Sequence, residues 1–470
     1  MTTDMHAPPT GRSWPDYRAV WRWHFYAGLF CIPFVIVLSI SGAIYLFKPQ
    51  IEAWNDRHYD GLALKGTTTS ASDQIRAALA AAPGSTFRSY ELPAAADSAA
   101  RVIVSRDGEA VRVYVHPETL QVLHMIPENQ RFMRLLFRLH GELLLGARGS
   151  HLVELAASWT IIMILTGLYL YWPRHAKGLG GVLYPRLTGG ARMFWRDLHG
   201  VSGAWISCLA LFLLVSGLPW AKFWGDYFKA ARRLTGTAVA RQDWSNGSER
   251  KSPGGDTDAS EHAGHRAGRH AERRGGREAN SRSKPIDLSA VDRVAATVRP
   301  LALPPPVVIA PPGRGSTHWT AKSMTQNRPQ RVNLVVDPAT GSIVSREDFR
   351  DRRLIDRIVG FGIAAHEGQL FGWPNQALGL ITAAGLVLIS ASGIVLWLRR
   401  REPGALGAPR AALSPRFSLG LVVLAAAMGI YLPLFGASLL MVLLAEKAIL
   451  SRIAPVRDWL GLNPPGRNRT

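Results

Sequence analysis

The sequence predicts a polytopic α-helical membrane protein: a pseudo-two-fold bundle of four main spans plus a C-terminal span or hairpin, with a small α+β domain in each of two long loops. Three observations predict it. Uncharged runs cover residues 25–47, 155–172, 200–221, 368–398 and 417–445, and about 20 helical residues cross a hydrocarbon core of ~30 Å. Lysine and arginine collect in alternate connecting segments. Histidine-bearing patterns recur in the two halves of the chain at fixed offsets.

In order, residues 1–23 form a basic arm with Arg12, Arg18 and Arg22, and residues 24–47 form the first span. Its apolar run is too long for a signal peptide, and no A-x-A site follows it. Residues 48–130 hold the first α+β domain. There "SDQIRAALAAAP" (72–83) has the periodicity of a short amphipathic helix, and "VRVYVHPETLQVLHMIP" (111–127) reads as strand, Pro-containing turn, strand. Residues 131–172 join an amphipathic helix to the second span, 173–198 form a short connection, and 199–221 form the third span. The second α+β domain occupies 222–365, where "LSAVDRVAATVRP" (288–300) and "RVNLVVDPATGSIVSRE" (331–347) repeat the helix and the strand–turn–strand. Its insert, 247–285, is rich in Gly, Ser, Arg and charge, a composition that predicts disorder. His262, His265 and His270 make at most a weak metal site there. The fourth span region is 366–398, followed by a connection over 399–416. Pro433 interrupts the run 417–450, which predicts a kinked helix or a tight membrane hairpin before the tail 451–470.

The connection 173–198 holds Arg174, Lys177, Arg186, Arg192 and Arg196 against one acid, Asp197, and 399–416 opens with Arg399, Arg400 and Arg401. These segments and the N-terminal arm should face the cytoplasm, which leaves the two long loops on the far side. The basic tail prefers the cytoplasm too and favours a hairpin. Membrane topology thus accounts for the net charge of +21; the partner it implies is the lipid bilayer and no nucleic acid. The two cysteines, Cys31 and Cys208, both lie inside spans, so there is no disulfide framework and no Cys-x-x-Cys motif.

His24 and His199 stand 175 residues apart, each near the start of a span. Each is followed by a glycine four residues on (Gly28, Gly203) and, later, by a Ser-Gly pair (Ser41-Gly42, Ser216-Gly217). His140 in "LHGELLLG" and His366 in "AHEGQLFG" stand 226 apart, and at the same offset Gly167 after Thr166 matches Gly393 after Ser392. His151 and His175 do not repeat, since Ala377 and Arg401 lie 226 residues on, and they read as interfacial.

A histidine in or beside a span is costly, so function is the default expectation. The bland alternative is a helix-packing hydrogen bond, which Ser, Asn or Gln supplies equally well; four repeat-equivalent instances weigh against it. Topology puts His24 and His199 at the cytoplasmic starts of spans one and three, and His140 and His366 on the far side before spans two and four. Equivalent residues face each other across a pseudo-two-fold axis, which gives two His–His pairs at two membrane levels. Two axial imidazoles are a recurring way to hold haem iron for electron transfer. Gly42, Gly217, Gly167 and Gly393 are placed either to admit a haem face held by the other pair of spans or simply to pack helices closely. One ion held by all four histidines fails, because opposite ends of ~30 Å spans cannot converge. Two separate His₂ metal sites, with Glu142 and Glu367 as the candidate carboxylates, and a proton relay through His and Glu stay open. Arg131, Arg134 and Arg138 either clamp haem propionates or an anionic chelate, or make a basic amphipathic helix at the lipid surface.

Together, "RWHFYAGLFCIPFVIVLSISGAIYLF", "RLHGELLLG", "TGLYLYWPR", "DLHGVSGAWISCLALFLLVSG" and "SGIVLWLRR" resemble the PepSY-associated transmembrane proteins. The resemblance covers the chain apart from 1–17, 247–285 and the last few residues, and the insert departs from the family's pattern. It implies a multi-pass protein of the bacterial inner membrane with a cytoplasmic N-terminus and PepSY-like domains in the periplasm. Some members are similar to haem-containing ferric-siderophore reductases. That likeness implies an oxidoreductase with two b-type haems, one with its iron held by His24 and His199 and one by His140 and His366. A cytoplasmic or membrane electron donor would then serve a ferric siderophore or ferric chelate in the periplasm, for iron acquisition. One-electron transfer needs no nucleophile or general acid, which suits the absence of a catalytic triad or carboxylate dyad. The alternative is a non-enzymatic PepSY membrane module that binds a periplasmic protein or peptide, its histidines only packing helices.

Overall fold

The structure is a computed structural model that describes residues 17–173, 178–237, 286–313, 315–409 and 419–462. The insert 247–285 with its three histidines, and His175, lie outside the described residues. In chain order, α1 (Tyr17–Tyr45), α2 (Lys48–Asp56) and α3 (Ala71–Ala81) lead to β1 (Thr86–Leu92), β2 (Ala100–Arg106), β3 (Glu109–Val115) and β4 (Val122–Pro127). Next come α4 (Phe132–Glu142), α5 (Ala147–Tyr171), α6 (Gly190–Gly217) and α7 (Lys222–Leu234). The second half supplies α8 (Ser289–Val298), β5 (Val307–Ala310), β6 (Trp319–Ser323), β7 (Val332–Val336) and β8 (Ile343–Asp348). It ends with α9 (Leu354–His366), α10 (Trp373–Arg400), α11 (Leu419–Tyr431), α12 (Pro433–Ala445) and α13 (Ala454–Leu460). The chain divides into two compact units: Met1–Ala43, Ala147–Ala231 and Leu380–Thr470 form one, Ile44–Gly146 and Arg232–Gly379 the other.

The first unit is helical. Among the described residues, five helices are long and apolar enough to cross a membrane: Tyr17–Tyr45, Ala147–Tyr171, Gly190–Trp220, Trp373–Arg400 and Pro433–Leu450. The run containing Pro433 folds back on itself. Leu432 leaves helical geometry (φ −121°, ψ 78°), and Pro433 then starts α12, where its missing N–H costs nothing. A Cβ built on Gly436 would stand 2.9 Å from Gly429 Cα, whereas residues seven apart in one straight helix are separated by about 10 Å. Of the two sequence expectations, the hairpin is the one found.

A buried carboxylate anchors the amphipathic helix α7 to this unit. Glu154 is 2% exposed, and its oxygens accept from the backbone N–H groups of Phe223 (3.0 Å) and Trp224 (3.1 Å). Ser150 Oγ accepts from Lys222 N–H at 3.3 Å. These are the first N–H groups of α7, which have no partner within the helix. Glu154→Ala should leave two donors unpaired, the Trp224 N–H buried and the Phe223 N–H partly so, and destabilise the protein by about 1–3 kcal/mol. Thermal unfolding in detergent measures it, and an unchanged midpoint would show that water replaces the carboxylate.

In the second unit the two α+β loops share one antiparallel sheet of eight strands, in the order β4-β3-β2-β1-β5-β6-β7-β8. Each loop forms the expected helix and strand–turn–strand. Two small separate domains do not form, because β1 pairs with β5 (Tyr90 opposite Ile309, Leu92 opposite Val307) and fuses the two four-stranded meanders. Pairing these strands hides two exposed edges at once. Helices α3 and α8 cover one face, and a single core runs from Ile75, Phe87 and Val102 to Val291, Val294 and Trp319. Asp292 on α8 accepts from the Ser72 N–H at the start of α3 (2.9 Å), which ties the two helices together.

On the β2–β3 side an ion-pair network joins the sheet to α2. Arg101 pairs with Asp60 (3.0 Å) and Asp56 (3.3 Å), and Arg112 pairs with Glu91 (2.7 Å) and Glu128. Burial pushes the Glu128 carboxyl up, but Arg112 and Arg131 more than offset it and hold it below the ordinary range. Arg131 also pairs with Glu52 (3.2 Å), so its charge is already committed within the fold.

Candidate functional site

The structure brings the four repeated histidines together as two pairs, each across the two halves of the sequence. His24 on α1 meets His199 on α6 in the first unit, with ring centroids 6.3 Å apart and planes crossed at 82°. His140 at the end of α4 meets His366 at the end of α9 in the second unit, at 6.4 Å and 78°. A metal–imidazole bond is about 2 Å long, which puts the centroids of two imidazoles on opposite sides of one metal about 6 Å apart. Both pairs have that spacing.

The surroundings of the first pair fix its tautomer. His24 Nδ1 lies 3.0 Å from the Met163 carbonyl oxygen and 3.2 Å from Thr166 Oγ1. A carbonyl can only accept, and the Thr166 hydroxyl already has carbonyls for its own proton, Ile162 at 2.9 Å and Met163 at 3.0 Å. Nδ1 therefore carries the hydrogen, and the neutral ring keeps its lone pair on Nε2, the form that binds a metal. His199 repeats the arrangement: Nδ1 donates to the Ile389 carbonyl (3.1 Å) and Ser392 Oγ (3.2 Å), and Ser392 donates to Ile389 at 2.9 Å.

Glycine makes room for these rings. A Cβ on Gly167 would stand 2.9 Å from His24 Cε1, and one on Gly393 would stand 3.4 Å from His199 Cε1. The sequence leaves Gly167 and Gly393 either to admit a haem face or to pack helices closely; in the structure they lie against the histidine rings themselves, and this close approach lets each Nδ1 reach a carbonyl one turn away. One turn after each histidine the helix is bare. A Cβ on Gly203 would meet nothing within 4 Å, and one on Gly28 only the Met163 sulfur at 3.7 Å. A flat ligand edge can approach such a face.

The second pair is set by sharp helix ends. After His140 the chain passes through two left-handed residues, Leu143 (φ 49°) and Leu144 (φ 60°), before α5 starts at Ala147. After His366 the turn is stapled by side-chain amides. Gln369 and Gln376 both donate to the Leu46 carbonyl (2.9 and 3.0 Å), and Asn375 donates to Ala365 (2.9 Å). Gly368 (φ +74°) packs so tightly on Leu46 that a Cβ would come within 2.9 Å. Arg134 lies over the Phe137 ring at 5.3 Å. Arg131, the first of the three arginines before His140, pairs with Glu52 and Glu128. His151, the unrepeated control, is exposed at the start of α5.

Sequence reasoning found the histidines and glycines but missed the hydroxyls and carbonyls that hold them. A signal for the hydroxyls was present, since Thr166 and Ser392 each precede a repeated glycine. The Met163 and Ile389 carbonyls leave no trace in residue type. Among the described residues no group of three or more His, Cys, Asp or Glu is placed to hold a metal ion.

Apolar spanning helices, internal duplication and paired histidines define a multi-pass helical membrane protein. The chain belongs to the family described as the PepSY-associated TM region, whose model matches residues 21–400. No curated protein matches it.

Proposed function

We propose that this protein carries two b-type haems in the bacterial inner membrane and reduces a ferric siderophore or ferric chelate in the periplasm with electrons from the cytoplasmic side. The observation that carries the reading is the repeat-equivalent pairing of His24 with His199 and of His140 with His366, at 6.3 and 6.4 Å. A haem held by the two histidines of each pair would supply a one-electron carrier. Among the described residues no third His, Cys, Asp or Glu joins either pair, which suits an iron whose other ligands come from a macrocycle; zinc or copper would usually need more from the protein. Both pairs fit in donor chemistry and in spacing, and the first also in the bare glycine faces beside it.

The chain's own part is to orient and to insulate. Met163, Thr166, Ile389 and Ser392 aim the cytoplasmic-side rings, and the Leu46 carbonyl with its two glutamines fixes the turn after His366. In a bilayer the apolar spans that carry the first pair would shield it from water. Each electron delivered turns one Fe(III) into Fe(II), which the oxygen-rich chelators of siderophores hold far less tightly. The basic connections support a cytoplasmic N-terminus and, with it, a periplasmic sheet.

A reduced-minus-oxidised visible spectrum tests the reading. The purified protein should be red, with about two non-covalent haems per chain, since no C-x-x-C-H attachment motif is present. A colourless preparation from haem-replete cells would sink it and leave the binding-module reading. One observation favours that second reading: β8 is an open sheet edge, with Ile343 39% and Val344 54% exposed, of the kind that pairs with an added strand.

A further inference from the structure

We infer that Thr166 and Ser392 are positioning residues that hold the His24 and His199 rings crossed, so that the two imidazole planes act on different iron orbitals. The inference rests on the haem reading above and goes beyond it by assigning a ligand-plane angle and the side chains that set it. Each Nδ1–H has two acceptors, a main-chain carbonyl and a hydroxyl one turn along the same helix, at 3.0 and 3.2 Å for His24 and 3.1 and 3.2 Å for His199. One acceptor fixes where a ring nitrogen points but lets the ring pivot about that bond. Two acceptors fix the plane as well. The acceptors for His24 lie on α5 and those for His199 on α10, so the two planes are set independently, and they stand 82° apart. Ser392 is fully buried, so water does not compete for this role.

Ring orientation matters because an imidazole donates π density perpendicular to its own plane. Parallel rings load the same iron d orbital and split the set widely. Crossed rings load two different orbitals and leave them nearly matched. The outer-shell partner that fixes the ring is therefore an electronic control as well as a mechanical one. The Thr166 hydroxyl is dispensable for the tautomer, since the Met163 carbonyl alone keeps the hydrogen on Nδ1. It is not dispensable for the plane.

The experiment is low-temperature electron paramagnetic resonance of the oxidised full-length protein, with haem content measured on the same samples. Wild type should show strongly anisotropic low-spin signals with a large principal g value, the mark of crossed planes. Thr166→Val and Ser392→Ala should keep the haem, shift one of the two signals to a smaller g value and move one midpoint potential. Thr166→Ser should restore both. The His140/His366 signal, from a pair crossed at 78°, serves as the internal reference. If Thr166→Val loses one haem and Thr166→Ser regains it, the hydroxyl is again shown to position the ring. Loss in both variants, unchanged g values in Thr166→Val, or a parallel-plane signal in wild type would each overturn the inference while leaving the haem reading intact. Absence of haem from wild type would instead overturn the proposed function.

Discussion

Replacing His24 or His199 with Ala should remove one haem and leave the other, and replacing His140 or His366 should remove the second and leave the first. The expectation follows from the pairing: each couple joins residues from opposite halves of the sequence but from a single structural unit. If each pair holds a haem as proposed, losing one of its two histidines removes half of the protein's hold on the iron. The scaffold should survive, because a lost neutral hydrogen bond costs only about 1 kcal/mol. Under the proposed topology the two losses differ in function. Without the His24/His199 centre, a small reductant added from the periplasmic side should still drive chelate reduction, whereas electrons from the cytoplasm should stop arriving. Without the His140/His366 centre, cytoplasmic donors should still reduce one haem and chelate reduction should cease. Haem content, difference spectra and chelate reduction with reductant offered from each side measure all of this. If His24→Ala and His140→Ala abolish the same haem, the ligands pair within a half and the geometry has been misread. If all four variants keep the wild-type spectrum, the histidines only pack helices.

Much of the site was legible because duplication works as an internal control. A single histidine near a span is ambiguous, but His151 fails to repeat while His24, His199, His140 and His366 do. Spans were legible from length and apolarity alone. The reversal at Leu432–Pro433 was legible only as a break: proline marks where a helix cannot continue, and the Gly429–Gly436 contact decides that the chain turns back. Long-range pairing was not legible. Nothing local in "TFRSYEL" and "VVIA" says that these strands are neighbours, and two four-stranded meanders read the same whether apart or fused. The carbonyls that hold the rings were hidden for a related reason. Carbonyls belong to every residue, so only the three-dimensional approach of α5 to α1 and of α10 to α6 selects Met163 and Ile389.

The fused sheet makes its own large prediction: Ile309→Asp should unfold both halves of the sheet together. Ile309 is fully buried on β5, opposite Tyr90 of β1 on one side and Ala321 of β6 on the other. It belongs to the core that α3 and α8 cover jointly, so a carboxylate there is buried with no partner. An unpaired buried charge costs several kcal/mol even after relaxation, against a typical domain stability of about 5–15 kcal/mol. Hydrogen exchange should then lose protection in β1–β4 as well as in β5–β8, although the substitution lies in only one of them. Val344→Asp, at an exposed site on the β8 edge, is the matched control and should change stability by no more than about 0.5 kcal/mol. Two independent domains would behave differently. The loss would stop at β5, and β1–β4 with α3 would stay protected, because their own core residues Ile75, Val102 and Val113 would still be packed. The outcome also bears on the histidines, since α4 follows β4 and α9 follows β8 in this unit. If the sheet is one body, Ile309→Asp should disturb the His140/His366 haem spectrum while leaving the His24/His199 signal in place.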